Sequence, residues 1–281
     1  KQKYNFEFGP KPVQLNSGIM YRALADGQVD VIDAFLTDGR IEAYGFRVLA
    51  DDRNFFPPYD ACPLIRGETL ERHPQLEGIL NKLGGRISTR RMRRLNYAHD
   101  RAEGDKKPYD VAYEFLVERD LIDPAEKGDG SAGSITIGGK NFTEQDILGE
   151  MMGILIEHHS DIRVKRKLGL GGTLLCFNAL KAGDLDLYAE YTGTGLVNIL
   201  KAPARTGSEE VHGIVRREFK QRWNVVWLEP FGFNNSYTLT MRDDHAERLG
   251  IETISDLAEY VRTHAGEPVH EGGQVRGDGS V

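Results

Sequence analysis

The chain has 281 residues, 40% hydrophobic and 28% charged, with a formal net charge of −7. That is the balance of an ordinary globular protein with room for two domains, and the acidic surplus argues against a nucleic-acid surface, which needs a basic face. No apolar run approaches the roughly 18 residues of a membrane span, and the opening residues do not read as a secretory leader, although a processed exported protein has the same look.

In chain order, residues 1–8 end in the alternation of a strand. A helix over 18–25 and a strand over 29–35 follow. Asp51-Asp52-Arg53-Asn54-Phe55-Phe56-Pro57-Pro58-Tyr59 reads as a rigid extended loop, because tandem prolines fix φ and exclude helix. Its aromatics either serve binding or plug the core. Residues 67–82 and 108–121 have the period of amphipathic helices, the second opening on Pro108 and burying Val111, Ala112, Phe115 and Leu116. Arg90-Arg91-Met92-Arg93-Arg94 reads as a solvated helix face rather than a nucleic-acid patch.

Residues 126–134 are small and polar without an apolar anchor, the composition of a flexible surface linker. Beyond it Ile135 starts a strand, Gly139-Lys140-Asn141-Phe142 turns, and a helix carries Ile147, Leu148, Met151, Met152 and Leu155 on one face. Thr143 with Asp146 fits a capping box. Lys140 and the free N–H groups at this helix mouth suit an anionic group. A helix over 211–223, a strand over 224–228, a crossover over 229–237, a strand over 238–241 and a helix over 255–263 complete the order. Arg276-Gly277-Asp278 reads as a chance triplet.

One phrase occurs twice at a constant offset. Ala23-Leu24 ends a helix before Gly27, a strand and Phe35; Ala179-Leu180 ends a helix before Gly183, a strand and Tyr191. Two αβ units, each closing a strand on an aromatic followed by hydroxyl residues, suggest two similar lobes.

No catalytic constellation is present: no His-Glu-x-x-His, no Gly-x-Ser-x-Gly and no CxxC. Cys62 and Cys176 read as two buried thiols. Neither has an adjacent base, which counts against a transferase with a cysteine nucleophile. Glu157-His158-His159 cannot face one metal from adjacent helix positions. Phe35, Tyr59, Phe142, Tyr191 and Tyr237 all stand at loop or strand ends, where several rings together make a cage for a cation that donates no hydrogen bonds.

Gly138-Gly139-Lys140-Asn141-Phe142-Thr143-Glu144-Gln145, Glu190-Tyr191-Thr192-Gly193-Thr194-Gly195, Gly232-Phe233-Asn234-Asn235-Ser236-Tyr237, Thr37-Asp38-Gly39, Phe55-Phe56-Pro57-Pro58-Tyr59 and Leu95-Asn96-Tyr97 together resemble the osmoprotectant-binding proteins of ABC importers. That family binds glycine betaine, choline or carnitine outside the cytoplasmic membrane. The resemblance covers nearly the whole chain, but in circularly permuted order: the family's opening strand follows its closing helices through 128–134, as in an engineered binding or sensor module. It implies an α/β, two-lobed periplasmic-binding-protein fold of type II, circularly permuted. One lobe is expected over 46–230, the other over 231–281 plus 1–45. It further implies a monomer that binds a quaternary-ammonium ligand without a cofactor and serves a membrane permease. The implied cage is Tyr191, Tyr237, Tyr59 and Phe35 with Phe142 beside it. Lys140, Gln145, Thr194 and Arg276 match the positions that hold the ligand's other end.

Overall fold

In the computed structural model, residues 3–8, 12–15, 17–100 and 106–264 are described; Arg276 and its Gly-Asp neighbours lie outside them. The elements run α1 (Ser17–Ala25), β1 (Val31–Phe35), α2 (Gly39–Ala43), β2 (Phe46–Val48), β3 (Ala61–Arg66), α3 (Gly67–Arg72), α4 (Gln75–Asn81), α5 (Thr89–Asp100) and α6 (Pro108–Glu118). They continue with β4 (Ser134–Gly138), α7 (Thr143–His159), β5 (Arg163–Lys167), α8 (Thr173–Ala182), β6 (Leu187–Tyr191) and a single turn α9 (Thr192–Thr194) that runs into a π-turn over Gly195–Ile199. The last are α10 (Ser208–Trp223), β7 (Val225–Trp227), β8 (Tyr237–Arg242), α11 (Asp243–Leu249) and α12 (Ile254–Thr263). The chain is mixed α/β, as expected, and divides into two compact units: Lys1–Phe56 with Tyr237–Val281, and Pro57–Ser236. These divisions fall later than the sequence suggests at both points. β2 bonds to β8 and so stays with the first unit, while Phe231 and Phe233 are buried in the second.

The first unit holds an antiparallel sheet in the order β1-β8-β2. Alternation along β1 sends Ile32 and Ala34 to a core shared with Tyr21 and Leu24 of α1. Met241 of β8 joins the other core, with Leu49, Ala246, Ile254 and Leu257. α12 starts on a capping box that the sequence reading did not single out: Thr253 accepts from Asp256 N–H, and the Asp256 carboxylate accepts from Thr253 N–H. Residues 3–8 are not a strand. Asn5 has φ of 50°, which breaks the extended path, and Tyr4 is buried with its hydroxyl donating to Asp51.

The second unit holds five strands in the order β5-β4-β6-β3-β7. β4 is parallel to both β5 and β6, and β3 is antiparallel to β6 and β7. Every residue of β6 is buried because both faces are covered. Leu187, Ala189 and Tyr191 face a core built with α4 to α7. Tyr188 faces another, built with Cys176, Phe177 and Leu180 of α8 and Val211, Val215 and Phe219 of α10.

Two local expectations fail and one strand was not expected, for identifiable reasons. The helix expected over 67–82 is broken into α3 and α4, because Pro74 has no N–H to donate and bars the helical conformation at His73. The strand not expected is β3, whose Pro63 lacks the N–H of a central strand residue. Pro63 O accepts from Leu228 N at 3.0 Å, just beyond the end of β7. A strand residue's N–H and C=O point to the same side, so the missing donor falls where the ladder has already stopped. Residues 126–134, expected to be flexible, are exposed but tied down. Gly128 N donates to Glu157 O at 2.8 Å, and Ala132 N to Asp161 O at 2.8 Å.

A Cβ on Gly128 would stand 2.0 Å from Ser160 O. Gly128→Ala is therefore expected to push the segment off α7 and cost about 1–3 kcal/mol, the usual scale of overpacking against unyielding neighbours. Urea denaturation with amide exchange over 126–134 checks it; unchanged protection would show that the anchoring is not needed.

Candidate functional site

Both copies of the repeated phrase resolve as helix, glycine, strand and an aromatic at the strand end. Gly27 and Gly183 take φ of 71° and 86°, the left-handed turn that stops each helix. β1 ends at Phe35 and β6 at Tyr191, each followed by a short helix.

In the first unit, Phe35 lies directly across the ladder from Tyr237. Their ring centroids are 4.9 Å apart with planes inclined by 39°. Phe56 stacks on Tyr237 at 6.4 Å. Phe35 and Tyr237, at the end of β1 and the start of β8, remain 40% exposed. The loop after Phe35 is held by Asp38, which caps α2 through Arg40 N and takes the Arg40 guanidinium in a fork at 2.9 and 2.6 Å. That guanidinium lies 4.0 Å from the centre of the Tyr21 ring.

In the second unit, Tyr191 sits at the mouth of α7. Its hydroxyl donates to Glu144 Oε1 at 2.6 Å and accepts from Gln145 Nε2 at 3.2 Å. Its N–H donates to Glu190 Oε1 at 2.8 Å. The Lys140 ammonium pairs with Glu190 and lies 4.9 Å from the centre of the Tyr191 ring. Glu190 also accepts from Tyr188 hydroxyl at 3.0 Å. Burial, then the charge of Glu144 and its hydrogen bond, push the Tyr191 phenol well up, so it stays protonated and donating. Phe142 stacks beside Tyr191 at 6.4 Å and is 40% exposed.

Tyr59 approaches the same strand end from the other side. A Cβ on Gly193 would stand 2.9 Å from its ring and 2.6 Å from Pro58 O, so only glycine admits the contact. Tyr59 N donates to Asn234 Oδ1 at 2.9 Å, and Thr192 N to Asp60 O at 3.0 Å. Thr194 is half-buried in the turn that follows Tyr191.

Of the residues singled out by sequence, Phe35 pairs with Tyr237 in one unit, and Tyr191, Phe142, Lys140 and Gln145 meet in the other. Lys140 and Gln145 are buried and already engaged, Lys140 with Glu190 and Gln145 with Tyr191 and Lys140 N. The capping box at α7 is not formed: Thr143 Oγ1 donates to Asp100 at 2.8 Å instead, and Phe142 is the cap residue. Glu144, Glu190, Asn96 and Phe56 were not singled out. All four lie inside the quoted motifs, but nothing in a linear motif distinguishes a ring from the carboxylate that holds it.

Cys62 and Cys176 are free and buried. Burial pushes both thiols up. Among the described residues, no cluster of His, Cys, Asp and Glu is arranged to hold a metal, and no helix is long and apolar enough to cross a membrane. His158 and His159 bond instead to the carbonyls of Asp123 and Leu121.

The family described as the substrate binding domain of ABC-type glycine betaine transport systems matches residues 1–118 and 133–276. The chain belongs to this family. The chain is 44% identical over 121 residues to the carnitine transport binding protein OpuCC of Listeria monocytogenes, covering 43% of this chain and 38% of that protein. It is 40% identical over 125 residues to the ergothioneine transport permease/ergothioneine binding protein EgtU of Helicobacter pylori, covering 44% and 22%. It is 34% identical over 119 residues to the glycine-betaine-binding protein of Pseudomonas aeruginosa, covering 42% and 38%. The chain thus spans well under half the length of these curated relatives of the binding-domain family.

Lys140→Met would strand the Glu190 carboxylate, which is 0% exposed, without its cation. The expected cost is about 3–5 kcal/mol, the range for breaking one side of a buried ion pair. Chemical denaturation measures it; a loss under about 1 kcal/mol would mean that Glu190 finds another donor or water.

Proposed function

We propose that this chain is a non-enzymatic, monomeric solute-binding protein that holds a small quaternary-ammonium osmolyte outside the cytoplasmic membrane and passes it to an ABC permease. The observation that carries this reading is the exposed ring pair of Phe35 and Tyr237, extended by Phe56. Large aromatic faces left open at a strand end are costly to hydrate and suit a cation that donates no hydrogen bonds. The family and three relatives point the same way: glycine betaine, carnitine and ergothioneine share a trimethylammonium group and a carboxylate. The rings proposed for the cage are Phe35, Tyr237, Tyr191, Tyr59 and Phe142.

The carboxylate falls to Thr194 and Arg276, which donate hydrogen bonds, an arginine bidentately. Lys140 and Gln145 serve the ligand through the strand end they hold. A transferase would need a thiolate at Cys62 or Cys176, and burial of both works against one. We also propose a circularly permuted order. Its support is the two-block family match flanking 119–132 and curated matches confined to about 43% of the chain.

A thermal-shift panel of glycine betaine, choline, carnitine and ergothioneine tests the reading. A ligand at 100 times its Kd should add about 2.7 kcal/mol of stability, and silence across the panel would refute it. In calorimetry, Tyr237→Ala should weaken the bound amine by about 1–2 kcal/mol. Arg276→Ala should weaken glycine betaine far more than choline, which lacks the carboxylate; equal losses would mean that Arg276 does not read the ligand's tail.

A further inference from the structure

Tyr191 is held at its N–H and at its hydroxyl, and the partner of its hydroxyl is charged. Glu144 is 2% exposed and stands in the first turn of α7. Its Oε1 receives the Tyr191 hydroxyl at 2.6 Å and Asn235 Nδ2 at 3.1 Å, and its Oε2 receives Asn96 Nδ2 at 3.0 Å. The two amides fix the carboxylate in place, and the carboxylate fixes the phenol. A phenol that donates to an anion gains electron density on its oxygen and, by conjugation, on its ring. In a buried site that polarisation is poorly screened.

We infer that Glu144 tunes the Tyr191 ring as a cation-binding face: by accepting the phenol's hydrogen bond it enriches the π-system and selects a trimethylammonium head over a neutral group of the same shape. This rests on the reading of the protein as a quaternary-amine binder. Glu144 touches the ring's hydroxyl and is a positioning and polarising residue, not a ligand contact. Glu190 and Lys140 fix the ring's backbone and one flank, and their charges offset each other, whereas Glu144 acts at the hydroxyl.

The test uses two probes that differ at one atom: glycine betaine, and 3,3-dimethylbutanoate, in which carbon replaces the quaternary nitrogen. Both carry the same carboxylate, so lost packing or a misplaced loop weakens both. Glu144→Gln keeps an oxygen for the phenol and removes the charge. It should weaken glycine betaine by roughly 3- to 10-fold, the scale of a partly lost cation–π contact, and leave the carbon isostere, whose head is uncharged, within about twofold. Tyr191→Phe removes the phenol while Glu144 keeps its two amide donors. It should show the same selective loss, and Glu144→Gln should add little in that background.

Equal losses for both probes would make Glu144 structural and overturn the inference. So would an undiminished effect of Glu144→Gln in the Tyr191→Phe protein, since the charge would then act without the ring. If Glu144→Gln does not fold, Tyr191→Phe alone decides, by whether betaine and isostere part company. A wild-type protein that binds neither glycine betaine nor any other trimethylammonium compound would overturn the functional reading as well, which is distinguishable from a binder whose variants lose both probes alike.

Discussion

The second unit depends on one buried carboxylate. Glu190 receives the Lys140 ammonium, the Tyr188 hydroxyl and the Tyr191 N–H. Removing a carboxylate from water is repaid only when its lone pairs are filled and a cation stands close, and here both conditions hold. The consequence is geometric. β6 ends where Glu190 is satisfied, Lys140 is drawn in from the loop before α7, and the two elements meet at a fixed place. Tyr191 inherits that place. Its ring is therefore set by electrostatics at the strand end and by the packed core below, with Leu187 and Ala189 on the same face.

The other unit solves a similar problem without a buried ion pair. Phe35 is placed by register, opposite Tyr237 in an antiparallel ladder, and the loop after it is held by the Asp38–Arg40 fork. The two copies of the phrase thus share a backbone plan and differ in what secures the aromatic. One is anchored by charge in a dry site, the other by cross-strand pairing at a half-open face. A shared local pattern fixes where a ring stands along the chain; the surroundings decide how rigidly it is held.

Much of this was legible in the residues. The glycine-stopped helices, the strands ending at Phe35 and Tyr191, and α7 all follow from period and turn chemistry, which act over a few neighbours. What was not legible depends on partners far away in sequence. Pro63 marks β3 as a poor strand until the end of β7 removes the need for its donor. Thr143 and Asp146 look like a cap until Asp100 takes the threonine hydroxyl. Residues 126–134 read as slack because composition reports the lack of apolar anchors and says nothing of carbonyls waiting at Glu157 and Asp161. Lys140 and Gln145 were singled out as matching positions that hold a ligand, whereas their partners at Glu190 and Tyr191 become visible only in three dimensions.

The sheet of the second unit ends on β5, whose sequence is Arg-Val-Lys-Arg-Lys. Arg166 is committed to Glu150 and Glu157 and also donates to Val164 O, which leaves the charges of Arg163, Lys165 and Lys167 along an edge that pairs with no further strand among the described residues. An incoming strand from another molecule would have to bring its own hydrogen-bonding edge against three like charges if it were a copy of the same strand. Repulsion at that spacing outweighs the weak gain of a single new ladder. The basic run therefore lets the sheet stop, among the described residues, after five strands, guarding a concentrated solution of this protein against growth by strand addition.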